Sequence, residues 1–506
     1  MSERRRRSRA ERSPARQVDY HHLRNPFPPV PVFSEDRVEA IHQTALRVLE
    51  ELGIKVLLPD ARARFKAAGA LVDEETEMVR IGRDLVVSAL ASAPKVINLR
   101  AAVRKRDLEL KLGSLVLQPG AGAPHATDRI RGRRPGTLSD FEELVRLTQA
   151  YDCLQMLNPL VEPQDAPLHI RHYAATRAQM VLADKVPFVF ARGTPQVEQV
   201  FDMLRIARDL SEEAFAADPH CYTIINTNSP RQLDIPMAQG LIDFAKAGQM
   251  SVVTPFCLMG AMAPVSIAGA LTLSHAEAMA GITLTQIVKP GAPVCYGAFA
   301  SNVDMKSGAP AFGTPEQVKA SLGAGQLARK LGLPWRGAAG CAANTNDAQA
   351  ANETQMSAWG AVLAGATLII HGAGWIEGGL TVSYEKLITD LEVMQTFAEL
   401  CAETPAEDSD LAFEALAEVA PGGHFFAAQH TMERYQTAFY DPLVADWSNI
   451  GAWTEKGSKD ASERATEIWQ AVLAQPSGSY LAQDRLEALD HYIATGSEAG
   501  GAPPVS

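Results

Sequence analysis

Between residues 113 and 385 the chain alternates short β-type runs with helical stretches, and this alternation constrains the fold more than any other feature. The runs are LVLQ (115–118), LQMLNPL (154–160), PFVFA (187–191), CYTIIN (221–226), SVVTPF (251–256), PVCYGAF (293–299), PWRGAA (334–339) and TLIIH (367–371). Between them lie amphipathic patterns such as LSDFEELVRLTQAY (138–151), TPQVEQVFDMLRIARDL (194–210) and TPEQVKASLGAGQLARKLG (314–332). Strands that alternate with helices build a parallel sheet whose faces the helices cover. Eight consecutive units predict a closed (β/α)8 barrel, an α/β fold, rather than an open doubly wound sheet. No GxGxxG follows the first run, so a dinucleotide crevice has no local support.

The flanks read differently. SEDRVEAIHQTALRVLEELG has Ser34 as N-cap, acids in its first turn and Gly53 to end it, and it opens a small α+β extension over residues 34–112. Beyond the barrel domain (113–385), residues 386–490 read as a C-terminal helical region, and residues 491–506, ending in SEAGGAPPVS, as a flexible tail. Residues 1–33 combine RRRRSRAERSPAR with PFPPVPVF. Such a charge run repels itself, so a disordered basic and Pro-rich tail is expected. It has neither the apolar segment of a secretory signal nor the amphipathic face of a transit peptide.

A net charge of −12 argues against a nucleic-acid or anionic-membrane partner for the chain as a whole. The six cysteines (Cys153, Cys221, Cys257, Cys295, Cys341, Cys401) are scattered with no CxxC, which fits a reduced cytoplasm and argues against a cysteine-rich zinc site. Two apolar stretches, 247–274 and 357–376, are long enough to span a membrane. Pro255, Pro264 and several glycines interrupt the first, and neither has a clear basic flank, so both read as barrel core.

Active sites of such barrels lie at the C-terminal ends of the strands. Residues at or just past those ends are Asn158, Arg192, Asn226, Asn228, Phe256, Tyr296, Asn302, Asp304, Arg336, Cys341, His371, Trp375 and Glu377. No H-E-x-x-H, G-x-S-x-G or P-loop appears, and no metal-ligand set is expected. Lys289 and Lys306 do not end strands, which leaves a Schiff-base lysine without a candidate. The rings of Phe256, Tyr296 and Trp375, with Trp335 and Tyr384 nearby, suit a quaternary ammonium, which donates no hydrogen bond and is held by cation–π contact. For any one of these rings taken alone, core packing is the better explanation. Cys341 reads also as a small buried hydrophobe, and His371 also as a core histidine.

Long runs of the chain resemble the trimethylamine methyltransferase family: TPFCLMGAMAPVSIAGALTLSHAEAMAGITLTQIVKPGAPVCYGAFASNVDMKSGAPAFGTPE (254–316), LPWRGAAGCAANTNDAQAANETQMSAWGAVLAGATLIIHGAGWIEGGLTVSYEKLI (333–388) and PGGHFFAAQHT (421–431). The resemblance extends from about residue 30 to about residue 475. It implies a barrel that moves a methyl group from a methylated amine to the Co(I) form of a corrinoid on a separate partner protein, with no cofactor tightly bound to the barrel. Trimethylamine-specific members place pyrrolysine in the loop after strand seven. Here that loop reads GAAGCAANTNDAQAA, and the pyrrolysine position falls near Gly340 or Cys341, neither of which supplies an electrophilic imine. The resemblance to pyrrolysine-lacking members implies a quaternary amine such as glycine betaine. A tertiary methylamine methyltransferase and a non-catalytic betaine-binding barrel remain as alternatives. Expected substrate contacts are Phe256, Tyr296, Arg336, His371, Trp375 and Glu377, with Arg336 holding a substrate carboxylate. A homo-oligomer is also expected.

Overall fold

The computed structural model describes residues 22–505. Its central strands, in chain order, are β1 (Val116–Leu117), β2 (around residue 156), β3 (around residues 186–188), β4 (Tyr222–Ile225), β5 (Met250–Val253), β6 (Val294–Gly297), β7 (Trp335–Ala338) and β8 (Leu368–Ile370). Six form a continuous ladder in the order β1-β8-β7-β6-β5-β4, and every pairing in it is parallel. The other two close the circle through single parallel bridges, Met156 with Val186 and Phe188 with Tyr222. The Gln155 amide donates to the Leu117 carbonyl at 3.1 Å and joins β2 to β1. The eight runs read from the sequence thus form a (β/α)8 barrel.

Eight helices alternate with the strands: α1 (Leu138–Ala150), α2 (Arg171–Leu182), α3 (Thr194–Arg208), α4 (Ile235–Ala247), α5 (Ile267–Val288), α6 (Pro315–Leu331), α7 (Ala348–Leu363) and α8 (Tyr384–Leu400). Side-chain oxygens of Thr137, Asp234, Ser266, Thr314, Asp347 and Ser383 accept the first free amides of α1 and α4 through α8. Gly248 and Gly332 adopt the left-handed conformation that ends α4 and α6. α5 is long and apolar enough to cross a membrane, but most of it is buried inside the fold. The barrel domain therefore runs to Leu400. The boundary expected at residue 385 falls just inside α8, the helix that follows β8 and runs to Leu400.

Strand alternation divides the apolar side chains. Val116, Met156, Val186, Phe188, Tyr222, Met250, Val252, Cys295 and Leu368 fill the bore. Leu117, Ile225, Val253, Tyr296, Trp335 and Ile369 face the helices. The bore cluster also takes in Ile97, Leu99, Leu108 and Leu110 from an antiparallel hairpin of Ile97–Leu99 with Leu108–Leu110. That hairpin binds residues that precede the strands: Arg100 N donates to Pro219 O and Ala102 N to Asp184 O, and Arg106 pairs with Asp152 and Asp184. It closes the N-terminal end of the bore.

Both ends of the described chain are more ordered than their composition suggests. Residues 1–21 lie outside the described part, but residues 22–33 are not a disordered tail. Phe27 meets Trp359 edge-on at 5.8 Å, Val30 N bonds Leu363 O, and Gln326 Oε1 accepts from both Val32 N and Phe33 N. Prolines leave few amides to satisfy, so a small number of hydrogen bonds holds this extended strap along α6 and α7. Residues 491–505 are not loose either. The helix Gln483–Glu498 is followed by Gly500 and Gly501, both left-handed, which turn the chain so that Ala502 N bonds His169 O and Val505 N bonds Arg192 O.

Candidate active site

After short breaks, the chain beyond β5 and β6 pairs again above the barrel as a second parallel ladder, Phe256–Met259 with Phe299–Val303. Its register sets Phe256 opposite Phe299, with ring centroids 5.0 Å apart. Phe299 stacks on Phe312 at 5.5 Å, and Trp375 lies 6.2 Å from Phe299 and 5.9 Å from Phe312. His371 joins this cluster from the end of β8, stacked on Trp375. Four aromatic rings and an imidazole thus gather at the C-terminal ends of β5 to β8.

The turn carrying His371 and Trp375 is held from behind. His371 has a φ of 58°, a left-handed conformation that costs a non-glycine residue roughly 1 kcal/mol or more. A side chain at Gly372 would meet Met394 Sδ at 2.7 Å and Gln118 O at 3.0 Å, so glycine lets the chain pass here without displacing Met394. The Gly374 amide donates to the buried carboxylate of Asp390, which pairs with buried Lys386, itself bonded to Thr354 Oγ1 at 2.8 Å. Trp375 Nε1 donates to Ala121 O at 3.2 Å and fixes the plane of the indole.

Arg336 enters from β7 and is 3% exposed. One nitrogen donates to Thr254 Oγ1 at 2.9 Å, another lies 3.5 Å from His371 Nε2, and the guanidinium carbon stands 5.7 Å from the centre of the Phe299 ring. Arg336 Nε and His371 Nδ1 are both buried without a hydrogen-bond partner. Among the described residues no carboxylate forms an ion pair with Arg336. Burial pushes its guanidinium down to about 9, which leaves it charged at neutral pH. Burial, and then the charge of Arg336, holds His371 well below the usual imidazole range, so it is neutral. With Nε2 facing the arginine as acceptor, the proton of the neutral ring belongs on Nδ1, which is then a free donor. Deeper in the bore Tyr222 donates to Leu157 O and contacts Asn158 Oδ1, and Gln118 Nε2 donates to the same hydroxyl at 3.0 Å.

Of the residues expected from the sequence, the structure brings Phe256, Arg336, His371 and Trp375 together. Tyr296 is elsewhere. Its neighbour Cys295 occupies the bore, so alternation turns Tyr296 into the helix layer, where its hydroxyl meets His275 Nδ1 at 3.0 Å. Trp335 and Tyr384 also face the helices. Glu377 sits at the rim, held through both oxygens by Arg133 at 3.0 and 3.1 Å, so its charge is already matched. Asn302 accepts from Thr314 Oγ1, and Asp304 accepts from Ser307 in a turn. In the loop after β7 it is Gly340 that faces the rings, since a Cβ there would lie 2.9 Å from Phe312. Cys341 turns away toward Ala343, Ala350 and Ile376, and burial pushes its thiol up to about 12. Phe299, Phe312, Thr254 and Tyr222 were not singled out by strand-end position. Phe299 lies at the close of a quoted run, but Phe312 comes from an irregular stretch that carries no periodic signal.

The chain matches the family described as trimethylamine methyltransferase (MTTB) over residues 1–501. It is 32% identical over 452 residues to the glycine betaine methyltransferase of Desulfitobacterium hafniense strain Y51, covering 88% of this chain and 93% of that one. It is 29% identical over 447 residues to the trimethylamine methyltransferase MttB of Desulfitobacterium hafniense strain DSM 10664 / DCB-2, covering 87% of this chain and 89% of that one. It is 28% identical over 473 residues to the trimethylamine methyltransferase MttB1 of Methanosarcina mazei, covering 91% of this chain and 94% of that one. With likeness of this extent on a closed (β/α)8 barrel, the chain belongs to the trimethylamine methyltransferase family and is a methyltransferase.

Proposed function

We propose that the substrate is a small quaternary amine bearing a carboxylate, glycine betaine or a related betaine, and that its methyl group passes to the Co(I) of a corrinoid held by a separate protein. The observation that carries this reading is Arg336, a buried cation with no carboxylate partner among the described residues, set beside a cluster of aromatic rings. An unpaired buried charge is costly, and an arriving carboxylate relieves that cost while gaining charge-assisted hydrogen bonds. The His371 Nδ1 proton offers a further donor to the same carboxylate. The faces of Phe256, Phe299, Phe312 and Trp375 suit the ammonium end, where no hydrogen bond can form. Similarity at 32% identity to the glycine betaine methyltransferase of Desulfitobacterium hafniense supports the same substrate class.

The chemistry asks little of the protein beyond position. A quaternary nitrogen leaves as a neutral amine once its methyl is displaced, so no proton need be supplied. Arg336 and His371 fix one end of the substrate, the rings orient the other, and water is kept from the reacting carbon. The methyl faces the barrel mouth, where the partner protein presents cobalt to accept it in line. The six cysteines are all free thiols, in keeping with a reducing cytoplasm. The test mixes enzyme, reduced corrinoid and a panel of methylated amines and follows loss of the Co(I) absorbance. Turnover with betaines is the expected result. Turnover with trimethylamine alone would overturn the substrate assignment, and binding without turnover of any amine would make the chain a betaine-binding barrel.

A further inference from the structure

Between α8 and the helix Ile450–Glu455 the chain makes a long excursion, residues 402–450, in which only Ala415, Ala428 and Val444 are buried. Its base is firmly tied: Glu392 of α8 accepts from the backbone amides of Leu443, Val444 and Ala445 and from the Tyr440 hydroxyl. The rest stands away from the barrel and carries large apolar side chains in water. Phe413, Phe426, Tyr435, Phe439 and Trp447 are between 58% and 82% exposed. Each such ring brings ~150–250 Å² when buried, so these five alone offer on the order of 700 Å² per chain. That is close to the ~800 Å² that one partner contributes to a stable interface.

We propose that this excursion is an assembly arm covered by a second copy of the same chain. Charge points to that occupant. Residues 402–450 carry nine carboxylates against one basic side chain, Arg434. The same chain holds an opposite concentration in residues 4–16, with seven arginines against Glu11. Residues 1–21 bring charge rather than apolar cover, so the rings need an apolar surface from elsewhere. A second copy supplies both parts at once, because an isologous pairing sets each arm against the other chain. A partner that must dock and leave in every catalytic cycle is a poor match for so much bare apolar area.

The arm is tested on the full chain by sedimentation velocity over a range of concentrations. The expected result is a dimer or larger oligomer at micromolar concentration, with a dissociation constant raised roughly a hundredfold in Phe426→Ser/Phe439→Ser. Deletion of residues 2–16 weakens association further as salt is lowered, since screening no longer masks the lost charge. Backbone amide exchange on the unaltered protein covers the case of a variant that does not fold. Amides of residues 413–439 exchange slowly in the oligomer and fast after dilution to monomer. A protein that is monomeric at micromolar concentration, an oligomer indifferent to the arm substitutions, or amides protected only when a corrinoid protein is added would each overturn the proposal.

Discussion

His371 lies flat on Trp375, with ring centroids 3.7 Å apart and planes 8° from parallel. The stack joins the two halves of the site, because His371 also approaches Arg336, while Trp375 belongs to the ring cluster. Loss of either ring therefore acts on both the carboxylate end and the ammonium end of the proposed substrate.

Replacing Trp375 or Phe299 by Leu is expected to weaken glycine betaine binding by about 0.5–2 kcal/mol per ring. The carbon isostere 3,3-dimethylbutyrate keeps the carboxylate but lacks the ammonium charge, and so separates cation–π attraction from simple filling of space. Titration calorimetry should find its affinity little changed in the same variants. An equal loss for both ligands would reduce the rings to apolar walls.

Arg336→Met separates stability from binding. Removing a buried cation that has no carboxylate partner is expected to leave the free protein as stable as before or more so. Betaine binding should fall by about 2–5 kcal/mol, while choline, which lacks the carboxylate, is unaffected. Thermal shift with and without each ligand reads both effects. A large drop in the melting temperature of the free variant would mean that Arg336 is structural.

Gly340 and Cys341 are expected to respond in opposite ways. Gly340→Ala places a methyl 2.9 Å from the Phe312 ring and must move it, at about 1–3 kcal/mol, with a loss of methyl transfer. Cys341→Ala leaves the ring cluster untouched and should keep turnover. Comparison of kcat/KM for the two variants checks this, and a dead Cys341→Ala with normal stability would put the thiol in the reaction.

A chain of buried groups sets the acid limb of stability. His42 Nδ1 meets His275 Nε2 at 2.9 Å, and His275 Nδ1 meets the Tyr296 hydroxyl. Burial, with Lys330 nearby, lowers both imidazoles from the ordinary 6.5. The unfolded chain then binds protons more readily than the folded one. The stability from this pair is complete above about pH 6.5 and drains away as pH falls below it. Melting curves between about pH 5 and 8 should show a shallower acid decline in His275→Gln than in the unaltered protein.

The barrel was legible because its strands are compact apolar runs and six of its eight helices begin on Ser, Thr or Asp, signals that survive without tertiary information. The site was legible only in part. Position at a strand end finds Arg336 and His371, but it does not give the phase of alternation, which is why Tyr296 was expected at the mouth and lies among helices. Phe312 was hidden for another reason. It reaches the cluster by stacking on Phe299 across a short hairpin, in which Phe299–Val303 turns back to pair with Pro310–Ala311, and no local period encodes that. The ordered strap at 22–33 and the docked C-terminus depend on surfaces of α6, α7 and the β3 end, which composition does not reveal.

The hairpin that closes the N-terminal end of the bore has a kinetic meaning. A barrel stopped at one end admits reactants by the other, so in the proposed reaction amine and cobalt use the same doorway. The amine must then be seated before the corrinoid protein arrives, and the demethylated product stays trapped until that protein departs. Initial-rate patterns should be ordered and sequential, with the spent amine competing against fresh betaine and not against the corrinoid protein.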